Sequence, residues 1–156
     1  MKKFKYISAL IFAGVFLFAA CQENEPITFS ADSHAAFEEN IQTVELTDDI
    51  SSVEVSVMLV GPHENNAIDV NYEILASDTI AGDEHVTNVT EGNEIGSLDK
   101  AVTIPANSSF GTFDITFNHD NIEAGQVYKL VLGLQEGELD VSPAYNPSYV
   151  LIFVKQ

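Results

Sequence analysis

The sequence has no arginine and no tryptophan, and a single cysteine among its 156 residues. A lone thiol excludes an internal disulfide framework, and with no second cysteine there is no Cys-x-x-Cys redox or zinc pair. The lack of arginine leaves six lysines against 24 acidic residues, a formal net charge of −18. A surface this poor in cations does not fit nucleic acid or an anionic membrane face, since both are recognised through clustered lysine and arginine. Without tryptophan, any aromatic platform has to be built from tyrosine. Long apolar runs are also scarce. The charge-free stretch from Tyr6 to Ala20 has 15 residues, short of the about 20 needed to span a bilayer, and no later stretch is longer.

The single cysteine is explained by its position. Lys2, Lys3 and Lys5 precede the apolar run, which ends Leu17-Phe18-Ala19-Ala20-Cys21. A basic start and a short apolar segment form a signal peptide. The small pair before the cysteine resembles the lipobox of bacterial lipoproteins. That resemblance implies cleavage after Ala20, diacylation of Cys21 and three acyl chains on the mature N-terminus. One acyl chain anchors only marginally and more than one is needed for stable attachment, so the resemblance implies a permanent lipid anchor in the bacterial outer membrane. Loss of residues 1–20 leaves three lysines against 24 acids, a net charge of −21. Residues 21–33 are polar and acidic and read as a flexible tether. Glu23 and Glu25 resemble the export signal that carries some Bacteroidota lipoproteins to the cell surface.

Residues 34–156 read as one all-β domain of about seven strands. Val53, Val55, Val57 and Leu59 alternate with polar residues, as do Ile68, Val70, Tyr72 and Ile74. A ragged strand covers 41–46, and further strands are predicted at 102–104, 113–117, 127–134 and 149–154. Gly, Pro, Asn and Asp punctuate them, and no helical period appears. Such spacing predicts a single antiparallel, immunoglobulin-like β-sandwich. Val55, Val57, Ile74, Ile115, Phe117, Leu130, Leu132 and Ile152 are the expected core. The longest irregular part is 77–101, with a short strand possible at 84–89.

The order Val70-Asn71-Tyr72-Glu73-Ile74, Thr79-Ile80-Ala81-Gly82-Asp83, Val102-Thr103-Ile104-Pro105-Ala106, Phe113-Asp114-Ile115-Thr116-Phe117 and Tyr128-Lys129-Leu130-Val131-Leu132 resembles the Calx-beta domain. It is also similar to small lipoprotein domains found with polysaccharide-utilisation systems of Bacteroidota. The family's glycine after Pro-Ala is Asn107 here. The resemblance implies an immunoglobulin-like sandwich and, in calcium-binding members, acidic loops at one end. Asp120 and Glu123 in Asn118–Glu123 are the matching positions, and calcium is the one ion this raises. Six to eight oxygens are needed for calcium, and the loop offers two acids.

Other chemistry is thinly supported. His34, His63, His85 and His119 lack the close spacing of a zinc motif and read as solvated loop residues. There is no Gly-x-Ser-x-Gly elbow and no phosphate-binding glycine loop, so the chain reads as non-catalytic. Among the tyrosines, Tyr72 and Tyr128 lie on alternating strands and read as core. Tyr145 lies in the turn-rich Ser142–Pro147 and is the candidate ligand contact. Asp78-Thr79-Ile80 resembles the O-glycosylation site of Bacteroidota envelope proteins, which would make Thr79 the modified residue. Together these readings give a lipid-anchored binding or scaffolding accessory of a polysaccharide-uptake system. Its expected partners are a glycan or outer-membrane uptake proteins. The alternative is a structural or adhesive module with calcium-binding loops.

Overall fold

The computed structural model describes residues 32–76, 86–142 and 144–156. Cys21, Thr79 and His85 lie outside them, as do the tether up to residue 31 and the Asp78-Thr79-Ile80 site. Among the described residues no helix is long and apolar enough to cross a membrane.

Two sheets face each other. One has the order β7 (Phe110–Thr116), β3 (Ser52–Val60), β1 (His34–Phe37), β9 (Asp140–Val141). The other runs β2 (Ile41–Leu46), β10 (Ser148–Lys155), β8 (Val127–Leu134), β4 (Ile68–Ile74), β6 (Ala101–Ile104), with β5 (Val86–Asn88) also on β8. The fold is therefore the expected all-β sandwich. The seven expected strands are accompanied by β5, within the expected short strand at 84–89, and by two further short ones, β1 and β9. Most pairings are antiparallel; β1 with β9, β2 with β10 and β5 with β8 are parallel.

Alternation decides which side chains meet between the sheets. Val53, Val55, Val57 and Leu59 are all buried, as are Val70, Tyr72, Ile115, Phe117, Leu130 and Leu132. Ile74 is half-buried, at the end of β4. Ile152 departs from expectation. On β10 the inward residues are Tyr149, Leu151 and Phe153, and Ile152 lies on the outer face, half-buried. Phe153 stacks on Tyr128 with ring centroids 5.3 Å apart and meets Phe117 edge-on at 5.0 Å. These aromatic contacts fill this part of the core without tryptophan.

The stretch expected to be irregular is partly core. Val89, Ile95 and Leu98 are buried, and Ile95 bridges to Phe117. The turn that carries them is held by carboxylates. Glu94 accepts from the Thr90 N–H at 2.8 Å and from Asn93 Nδ2 at 2.6 Å. Glu91 accepts from the Leu98 N–H at 2.9 Å and pairs with Lys100 at 3.3 Å. The Leu98 N–H, first, and Lys100 hold the Glu91 carboxyl below the usual carboxylate range. Asn107 adopts a left-handed φ of 58°, a conformation asparagine tolerates better than other residues with a side chain.

Candidate functional site

One cleft that brings polar groups together lies where the chain crosses between sheets. β1 pairs with Val57–Val60 of β3 in one sheet, and β2 pairs with β10 in the other. Residues 38–40 make the crossing. The Glu38 N–H still donates to the Ser56 carbonyl at 3.0 Å, after which the chain leaves β3. No described strand covers the β1 side of Ser52–Val55. The gap forms a cleft of about 120 Å³ lined by Glu38, Glu39, Gln42, Glu54, Val55, Ser56 and Tyr149.

Tyr149 forms its floor. The ring packs on Phe37 at 5.6 Å and the residue is 1 % exposed, yet its hydroxyl donates to Gln42 Oε1 at 2.5 Å. Burial, and then the charge of Glu39, push this phenol well above its usual range. The hydroxyl therefore stays protonated and the bond is kept. With Oε1 so occupied, the Gln42 amide nitrogen is the donor left to the cleft. The three glutamates supply acceptors and Ser56 supplies a hydroxyl.

Tyr145 stands beside this corner. Its neighbour Asn146 accepts from the Phe37 N–H at 2.8 Å and donates to the Phe37 carbonyl at 3.2 Å. That pins the 144–147 loop to the residue before Glu38. Tyr145 itself is 53 % exposed, one of three large apolar side chains so placed among the described residues, with Ile41 and Phe110. The expected contact residue is thus an exposed tyrosine on a tethered loop. Tyr72 and Tyr128 are core, as expected. The cleft glutamates were not singled out in the sequence, because acids occur throughout it. Their proximity depends on a sheet-to-sheet crossing that alternation does not encode.

The other candidate residues do not assemble. Asp120 sits in the 3₁₀ turn His119–Asn121 and Glu123 follows it; both are exposed. The Asn118 and Asn121 side-chain amides donate to the Asn93 carbonyl. The His119 carbonyl accepts from Lys155 Nζ at 2.8 Å, so an ammonium already occupies a carbonyl that a bound cation would use. Among the described residues, no three His, Cys, Asp or Glu side chains come together as metal ligands. His63 is exposed as expected, whereas His34 and His119 are half-buried and differ from the solvated groups expected. His119 Nε2 donates to the Ile50 carbonyl at 2.8 Å, His63 Nε2 lies 2.6 Å from Ser109 Oγ, and the Nδ1 atoms of His34 and His119 are buried.

No family model and no curated protein matches the sequence. Solved structures do match in fold. The apo form of a Calx CBD1 domain superposes with a TM-score of 0.57 at 16% identity, over 81% of this chain and 99% of that domain. A calcium-binding CBD12 of CALX1.1 gives 0.57 at 15% identity, over 79% of this chain and 44% of the other. A candidate carbohydrate-binding protein from Bacteroides ovatus gives 0.54 at 12% identity, over 78% of this chain and 37% of the other. The chain therefore spans nearly all of one neighbour and under half of the other two. At these identities the likeness is one of fold, and that fold is the Calx-beta-like sandwich.

Proposed function

We propose that this chain is a lipid-anchored, non-catalytic envelope protein whose corner cleft binds a neutral glycan for a polysaccharide-uptake system. The observation that carries the reading is the polar cleft at the Glu38–Gln42 crossing, with exposed Tyr145 next to Asn146, which is bonded to Phe37 at the edge of that crossing. The cleft is smaller than the roughly 300 Å³ and above of an enclosing ligand pocket, so it suits a sugar chain lying across the surface. Tyr145 offers a face to the apolar side of a sugar ring. Glu38, Glu39 and Glu54 accept from hydroxyls in charge-assisted bonds, and the Gln42 amide donates. The carboxylates disfavour uronates and sulfated chains by like-charge repulsion. The Bacteroides ovatus neighbour supports a glycan-related role. Attachment through acylated Cys21 in the outer membrane, with Thr79 as a glycosylation site, completes the reading.

Calorimetric titration with neutral and acidic oligosaccharides tests it. The expected result is saturable binding of a neutral chain, weakened about tenfold or more by Tyr145→Ala. Equal binding by that variant, or preference for acidic chains, would overturn the proposal. A second reading, a calcium-dependent structural or adhesive module, draws on the calcium-binding CBD12 neighbour and on Asp120 and Glu123. A rise in melting temperature specific to calcium over magnesium, lost in Asp120→Asn, would favour it.

A further inference from the structure

Strand β2 ends its sheet, and among the described residues no strand pairs with its outer side. In the parallel pair with β10, the Asn40 carbonyl accepts from the Val150 N–H at 2.9 Å and the Leu46 carbonyl from the Gln156 N–H at 3.3 Å. Bonding direction alternates along a strand. The even-numbered residues of β2 thus face β10, and the N–H and C=O groups of Ile41, Thr43 and Glu45 face away from it. No described strand pairs with them.

The other edges are closed differently. β9 is two residues long. β7 and β6 meet at Gly111, where a Cβ would lie 2.5 Å from the Thr103 carbonyl oxygen. Edges left open in soluble proteins are usually guarded by lysine, proline or a bulge. Ile41-Gln42-Thr43-Val44-Glu45-Leu46 has no lysine and no proline, and its register on β10 runs unbroken from Ile41 to Leu46. Ile41, Thr43 and Glu45 are all exposed, and Ile41 is 53 % so.

Charge decides what can dock there. Glu38 and Glu39 precede the strand, Glu45 lies on it, and Asp48 and Asp49 follow it; all five are exposed. The nearest cation, Lys155, has its ammonium on the His119 carbonyl. A second copy of this acidic edge would meet like charge along its whole length. We propose that β2 is a docking edge for an extended, lysine- or arginine-bearing segment of another protein, added as a further strand. Backbone bonds to Ile41, Thr43 and Glu45 would set the register. An apolar side chain would cover Ile41, and cationic ones would meet the flanking carboxylates.

The test uses a synthetic eight-residue peptide alternating lysine and valine, titrated into the protein with amide exchange followed by NMR. The expected result is slowed exchange at the outward amides of Ile41, Thr43 and Glu45, with Gln42 and Val44 unchanged. Thr43→Pro removes one outward N–H, a change edge strands tolerate, and should weaken binding about tenfold or more. If that variant does not fold, Ile41→Lys with Thr43→Lys places like charge on the edge and should have the same effect. Tyr145→Ala should leave peptide binding unchanged, which separates this proposal from the glycan reading. Equal binding by the edge variants would show a purely electrostatic association and overturn it. So would a glutamate-valine peptide that binds as well, or a dimer in sedimentation that Thr43→Pro abolishes, which would assign the edge to a second copy.

Discussion

Ile115 and Ile152 show how much a single residue's placement depends on the phase of its strand. Ile115 alternates with Asp114 and Thr116, so its inward direction can be read directly, and it is fully buried. Ile152 lies in Tyr149–Val154, where apolar residues occupy both faces and the alternation is invisible. Only pairing with β2 and β8 fixes the phase, and it turns Ile152 outward. Ile115→Ala should therefore cost about 2–5 kcal/mol in chemical denaturation, and Ile152→Ala distinctly less. Tyr149 makes a second residue-scale test. Burial first, and then Glu39, raise its pKa above the ordinary 10.0. The unfolded chain loses this proton near pH 10 while the folded one keeps it. The stability it contributes is full below pH 10 and falls as pH rises further. Tyr72 is raised in the same sense, chiefly by burial. Melting curves between pH 9 and 11.5 should show a shallower alkaline loss for Tyr149→Phe than for the natural protein.

At the scale of elements, the long alternating strands were legible, as were short β5 and β6, but β1 and β9 were not. β3, β4, β7 and β8 each carry several inward-outward repeats. β1 has four residues, three of them fully buried, so it shows no alternation. β9 has two. The turn carrying Val89, Ile95 and Leu98 places its apolar residues at irregular spacing and holds its shape through Glu91 and Glu94. Loops that use side-chain carboxylates in place of a backbone ladder leave no periodic trace. How closely strands approach is also hidden in sequence. Gly111 sits against the Thr103 backbone, whereas Gly133 sits against the Leu75 side chain, with a Cβ at 2.7 Å from its nearest methyl. Backbone cannot rotate aside as a side chain can. Gly111→Ala should destabilise by about 1–3 kcal/mol, and Gly133→Ala by less, measured by urea titration of both variants.

For the whole molecule, charge and anchoring belong to one account. A lipidated Cys21 would hold the domain at a membrane, and a mature chain with three lysines against 24 acids would stand off from anionic surfaces around it. Cys21→Ala should leave the chain unprocessed, about three acyl chains lighter and about twenty residues longer by intact mass. An unmodified Cys21 in the natural protein would contradict the lipoprotein reading. The sandwich was legible because period-two patterning survives over most of the domain. Of the candidate site, the exposure of Tyr145 beside the cleft was legible, since a proline-bounded turn signals exposure on its own. Glu38, Glu39, Gln42, Glu54 and Ser56 converge through a crossing between sheets, and no local pattern marks that. The central claim, that this corner is a glycan site, is tested most directly by residue-resolved NMR during titration with a neutral oligosaccharide and, separately, with calcium. The account predicts saturable shifts from the oligosaccharide confined to Glu38, Gln42, Ser56, Tyr145 and their neighbours. Shifts centred on Asp120 and Glu123 with calcium, and none at the corner with sugar, would contradict it.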